Sequence, residues 1–236
     1  MPYLNWISDA DLINHTRNLL LATQQARVKK QREFHKNVID PFQAIFEMSG
    51  YPMNSVDWGT AELARQVGKA VQNKIGEFHQ NLLGSVANWN NLGTGQIVDL
   101  LSTTNQIIAE VKNKHNTVTG SKRVDVYDQL EGLVMPNTSI YNGYEAYFVN
   151  IIPKNRTRYN RPFTPPDNTT RTNRTSNVLI REIDGASFYH IVTGDQSALR
   201  DLYLALPNVI DHILGTAQLS NTDKIRLYRY FAMAYS

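Results

Sequence analysis

The chain contains no cysteine, which removes disulfide staples and thiolate metal ligands together and suits a reducing compartment; a cytoplasmic location is expected. Nowhere in its 236 residues is there an apolar run near the roughly 18 residues that span a bilayer, so no membrane partner is expected. The opening MPYLNWISDADLINH lacks a basic segment followed by an apolar one, and no secretory signal is expected. NLGTGQ lacks the spacing and the Lys-Ser/Thr of a phosphate loop, and no glycine-rich loop follows a strand; a nucleotide cofactor and a methyltransferase are both set aside. His15, His35, His79, His190 and His212 show no zinc-ligand spacing. No serine-centred nucleophile elbow is present.

An apolar content of 42% is ordinary for a chain that buries a real core, and the length fits one domain over 1–236. The net charge of +3 is unevenly distributed. Residues 153–177, PKNRTRYNRPFTPPDNTTRTNRTSN, hold Lys154, Arg156, Arg158, Arg161, Arg171 and Arg174 against Asp167 alone. Six positive charges against one negative leave the remainder of the chain slightly acidic. A concentrated basic segment on a near-neutral body is the footprint of a polyanion partner.

Ser8 reads as the N-cap of a helix running to about Ile39, with a basic second half. DPFQAIFEMSG predicts a short helix capped by Asp40, entered at Pro41 and ended at Gly50. A long amphipathic helix is predicted over 60–84, capped by Thr60, with Glu77 on the border between core and water. A hairpin follows, QIVDLL and QIIAEVK about a turn at STTN, then a helix beginning near Ser121 and a strand over 144–152. Pro162, Pro165 and Pro166 argue against regular structure in the basic loop. NVLIREI and ASFYHIVTG suggest a second hairpin around Asp184-Gly185, and the tail reads as helices. This order indicates an α/β architecture, a mixed central sheet flanked by helices. Residues 1–95 form a mainly helical part, 96–192 a sheet core carrying the basic loop 153–177, and 193–236 a helical end.

The charged residues of the first hairpin are out of place for a buried strand. Glu110 and Lys112 point the same way, about 6.6 Å apart. With STTN as the turn, Asp99 pairs with Ile108 and shares the Ile108–Glu110–Lys112 face, diagonal to Glu110 at roughly 5.5–8 Å. Any even-length turn on that centre keeps the parity. Two carboxylates so placed repel unless a cation joins them, and Mg²⁺ is commonly held by one or two carboxylates, water and substrate phosphate. Bound there, Mg²⁺ would lower the pKa of a water, and Lys112 would stabilise charge on an attacked phosphate. These are parts for phosphodiester hydrolysis. Glu77 would be a further metal or water ligand offered from its helix.

Asp99, a ten-residue gap and Glu110-Val111-Lys112 resemble the Asp…(Asp/Glu)-x-Lys signature of restriction-endonuclease-like nucleases. More narrowly, KAVQNKIGEFHQNLLGSV, GQIVDLL and IIAEVKNKHNT are similar to type II restriction enzymes of the AsuI/SinI kind, over most of the chain. Val98 stands where the broad signature often has proline, but position 98 supplies no ligand. The resemblance implies a restriction-endonuclease-like core with an N-terminal helical region. It also implies Mg²⁺-dependent cleavage of double-stranded DNA at GGNCC or GGWCC by a homodimer, leaving 5′-phosphates. Asp99, Glu110, Lys112 and Glu77 would be catalytic, with metal on Asp99 and Glu110. Asn113, Lys114, His115 and Asn116 leave the strand beside the scissile phosphate as DNA contacts. Arg156, Arg158 and Arg161, and less so Arg171 and Arg174, offer guanidinium forks for guanine or phosphate. Other occupations of the same parts are a structure-specific repair or junction nuclease, and a non-catalytic DNA-binding protein.

Overall fold

The computed structural model describes residues 1–93, 95–167 and 169–235; Thr94 of NLGTGQ, Asn168 of the basic loop and Ser236 lie outside it. Helix α1 spans Asp9–Arg32, with the Ser8 hydroxyl accepting the Asp11 N–H at 3.0 Å. It stops short of Ile39 and gives way to one 3₁₀ turn, Phe34–Lys36. Helix α2, Pro41–Gly50, starts as its sequence predicts, with Asp40 accepting the N–H groups of Phe42 and Gln43 at 2.9 and 3.1 Å. Helix α3 spans Ser55–Gly84 and begins five residues before Thr60. Asn54 is the cap, accepting from Val56 and Asp57, while the Thr60 hydroxyl donates to Val56 O inside the helix. Between Asn54 and Thr60, six residues apart, the cap is decided by which one finds free N–H groups.

The sheet has six strands: β1 (Asn90–Asn91), β2 (Leu100–Ser102), β3 (Ile107–Lys114), β4 (Glu145–Ile152), β5 (Asn160–Pro162) and β8 (Ile180–Asp184). Their order is β1-β2-β3-β4-β8-β5. The central trio β3, β4 and β8 is parallel; β1, β2 and β5 join antiparallel at the edges. Helix α4, Gly120–Val134, links β3 to β4 and covers one face. There Ile108, Ala146, Phe148 and Ile180 pack against Tyr127, Leu130 and Val134. The other face, with Ala109, Val111, Val149, Ile151 and Ile183, packs on the C-terminal half of α3 and on three further helices. These are α5 (Gly185–Thr193), α6 (Ala198–Leu214) and α7 (Asn221–Ala234). Leu82 and Leu83 of α3 are fully buried, and each such side chain contributes about 1.5–3 kcal/mol.

The structure departs from three further expectations. The segment expected to be a return strand is helix α5, Gly185–Thr193: Asp184 ends β8 and accepts the Ser187 N–H at 3.0 Å, an N-cap. Phe188, Tyr189, Ile191 and Val192 have strand-favouring side chains, but tertiary burial overrides that preference. Gly185 permits the turn between them, because a Cβ there would lie 2.3 Å from Ile151 O. The basic loop also holds regular structure. Residues 160–162 form edge strand β5, and β6 (Pro166–Asp167) pairs with β7 (Thr172–Asn173); at an edge, proline removes only an N–H that no neighbour needs. Finally, DQSALRDLYLAL and PNVIDHILGTA, which read as two successive helices, form one: α6 continues through Pro207.

Candidate active site

Strand β3 carries the site, and the β2–β3 register aims it. Leu100 pairs with Ala109, Leu101 with Ile108 and Ser102 with Ile107. The turn is therefore 103–106, one residue later than STTN, with Gln106 in the left-handed region at φ +54°. That slip moves the pairing by two residues, so face parity is unchanged. Asp99 stands just before the first paired residue of β2. Its N–H donates to Ala109 O at 2.9 Å, so Asp99 and Leu100 both address Ala109, two residues against one as in a β-bulge. Asp99 Oδ2 then accepts the Val111 N–H at 2.7 Å, a side chain taking the place of a ladder carbonyl.

Asp99, Glu110 and Lys112 come together. The Glu110 carboxyl is pushed up to about 7, first by burial and then by the Asp99 charge beside it. Lys112 opposes the shift, with its ammonium on Glu110 Oε1. The Glu110 side chain is 14% exposed and that of Lys112 30%. Water can reach the group, yet the pair cannot both ionise cheaply at neutral pH. A divalent cation held by the two carboxylates would remove that conflict, and an all-oxygen donor set of this kind fits an ion such as Mg²⁺. No group of three or more Asp, Glu or His ligands exists among the described residues, so remaining positions would fall to water and phosphate.

Glu77 is placed elsewhere. On α3, Gln80 donates to Val111 O and Gly76 lies against Asn113. Glu77, about 100° around the axis from Gly76, pairs with Lys74 at 2.6 Å and lines a groove with His15 and Asn18 of α1. Asn113, expected to face DNA, is instead buried, its amide donating to Gln72 O of α3 at 3.2 Å. Strand alternation explains this, since 113 faces away from 112. Lys114 borders an apolar cavity of about 560 Å³ beneath α6 and α7. His115 turns into a different, basic cavity, and Asn116 is exposed.

The loop arginines divide. Arg161 donates to Glu182 Oε2 at 3.0 Å and lies over the Tyr159 ring, while Arg158 donates to Gln196 O at 2.8 Å. Both line the basic cavity. Arg156 donates to Met233 O at 3.0 Å. Arg174 is held by Asp128 and Asp167, and Arg171 is exposed between β6 and β7 at φ +57°. Sequence reasoning missed Arg123 and Glu182. Buried Glu182 accepts from Arg123 at 2.7 Å and from Asn150 at 3.1 Å on one oxygen, and from Arg161 on the other. Arg123 and Glu182 are 59 residues apart, and neither sits in a motif; only the packing of α4 across β4 and β8 brings them together.

A family profile described as Eco47II restriction endonuclease matches residues 4–215. The chain is 47% identical over 239 aligned residues to the type II restriction enzyme Eco47II of Escherichia coli, with both chains covered in full. It is 31% identical to the type II restriction enzyme Sau96I of Staphylococcus aureus, over 96% of this chain and 87% of that one. No solved structure matches it significantly. The chain belongs to the Eco47II restriction endonuclease family and is a type II restriction enzyme, a site-specific deoxyribonuclease.

Proposed function

We propose that the protein cuts double-stranded DNA in a Mg²⁺-dependent reaction at a short GG/CC palindrome, GGNCC or GGWCC, leaving 5′-phosphates. The observation that carries this is the Asp99–Glu110 carboxylate pair, mutually repelling and in contact with Lys112. Asp99 and Glu110 hold the metal, which when bound polarises the phosphate and acidifies a water. Asp99 is fixed for this by the Val111 N–H. Lys112 keeps its ammonium on Glu110 in the resting protein. During attack it stands beside the phosphate and offsets the extra negative charge. Glu77, paired with Lys74, falls outside this set.

Duplex DNA lies along the open ends of β3, β4 and β8, with Lys114, His115 and Asn116 on one side and Arg156, Arg158 and Arg161 on the other. The GG/CC preference is supported by the resemblance of KAVQNKIGEFHQNLLGSV and IIAEVKNKHNT to enzymes of the AsuI/SinI kind. A palindromic target implies a homodimer whose two-fold axis coincides with that of the site. The absence of cysteine fits a cytoplasmic enzyme. Incubating the protein with plasmid DNA and Mg²⁺, then sequencing fragment ends, tests the reading. Discrete fragments with GG/CC termini are expected; no fragments, or another end sequence, would refute the corresponding part.

A further inference from the structure

A cavity of about 340 Å³ opens beside the active site at the ends of the parallel strands. Its walls come from separate parts of the chain: His115 after β3, Arg123 of α4, Lys154, Arg158 and Arg161 of the basic loop, and Glu182 of β8. Four cations, three of them guanidiniums held by hydrogen bonds, face one carboxylate. Glu182 is itself buried and divided between two guanidiniums, so it orients them more than it neutralises the cavity. Arg123 is further fixed against the Phe148 and Phe163 rings, 5.1 Å from each centroid. Lys154 has no partner among the described residues, and the buried Nδ1 of His115 lacks one as well. Rigid guanidiniums and a free ammonium around one small space are the chemistry of an oxyanion seat.

The cavity is not the cleavage centre. Glu110, Phe148 and Glu182 lie in one row across β3, β4 and β8, so the two carboxylate positions are two strand spacings apart, roughly 9.5 Å. Along the duplex axis a DNA strand advances about 3.4 Å per phosphate, so for an axis running across these strands that separation is two to three nucleotides.

We propose that this cavity seats one backbone phosphate of the cut strand, two or three nucleotides from the scissile one, with Arg123 and Lys154 as binding residues and Glu182 as the positioning residue. The proposal rests on the active-site assignment to Asp99, Glu110 and Lys112. It sets the register of the strand: a phosphate held here fixes which linkage reaches that pair. A phosphate contact carries no sequence information, so losing it weakens cognate and unrelated duplexes alike.

The test uses the full-length protein and duplexes containing its site, with Ca²⁺ replacing Mg²⁺ so that binding is read without cutting. A single uncharged methylphosphonate is placed at successive positions around the cut. With the wild type, substitution two or three nucleotides from the cut is expected to weaken binding about tenfold. Arg123→Gln and Lys154→Gln should each weaken binding of unmodified duplex, cognate or not, and should show little further loss at that methylphosphonate. Lys154→Gln keeps the test decisive if Arg123→Gln does not fold. Unimpaired binding by Lys154→Gln, losses confined to cognate sequence, or losses that multiply with the methylphosphonate would overturn the proposal. Failure of the wild type to cut in Mg²⁺ would instead refute the active-site reading, a separate outcome.

Discussion

The Asp99 carboxylate accepts the backbone N–H of Val111 at 2.7 Å, and this bond places a second negative charge against Glu110. The strand is thus used twice: its side chains supply Glu110 and Lys112, and its backbone fixes the third member. Without the two-against-one step at Asp99 and Leu100, a ladder carbonyl would fill that position and the charge would be missing.

Metal-free protein should lose stability as pH rises. The folded Glu110 carboxyl sits at about 7 against an ordinary 4.5, so the folded state binds the proton more tightly. That stabilisation is full below about pH 4.5 and is lost on rising through 7, at most about 3 kcal/mol. Thermal melts from pH 5 to 7.5 should fall by several degrees in the wild type and distinctly less in Glu110→Gln. Mg²⁺ at pH 7.5 should restore the wild-type melt and leave that of Glu110→Gln unchanged.

Asp99→Ala and Lys112→Ala should each lower the cleavage rate by about 10²-fold or more, while Ca²⁺-supported DNA binding persists. Glu77→Gln should cut within a few-fold of wild type, because it breaks only an exposed pair worth under about 1 kcal/mol. Single-turnover cleavage of one radiolabelled duplex compares all three.

Arg161→Gln and Arg174→Gln should behave differently although both come from the basic loop. The first should weaken duplex binding about tenfold, since Arg161 is 63% exposed in the cavity. The second should leave affinity unaltered, because Arg174 is committed to Asp128 and Asp167. Parallel binding titrations at one salt concentration show which arginines meet DNA.

Gly185→Ala should destabilise the fold by about 1–3 kcal/mol or prevent folding, because its Cβ would press on Ile151 O. Denaturant unfolding should show a lower midpoint, with the m-value unchanged.

Much of this arrangement was legible where local chemistry decides it. Asp40, Pro41 and Gly50 delimit α2, and the face shared by Asp99 and Glu110 survives the turn slip because two residues restore the side. Asn113 was read as a DNA contact, although alternation from Lys112 sends it inward toward α3. Helix α5 was hidden by strand-favouring side chains whose placement is set by burial against β4, with only Asp184 and Ser187 announcing a cap. The Arg123–Glu182 contact depends on α4 packing over the paired strands β4 and β8, which no local pattern encodes. The Glu77 side of α3 is decided by α1, which occupies the groove beside it.

The direct trial of the shared-cation claim is calorimetric titration of Mg²⁺ into the protein–duplex complex of the uncleaving Lys112→Ala variant at pH 7, in buffers of different ionisation heat. The Glu110 carboxyl is near 7 with Lys112 in place and higher without it, so binding should release more than half a proton, and introducing Asp99→Asn should abolish both the binding and the release. Mg²⁺ binding that frees no proton, or that survives Asp99→Asn undiminished, would contradict the account.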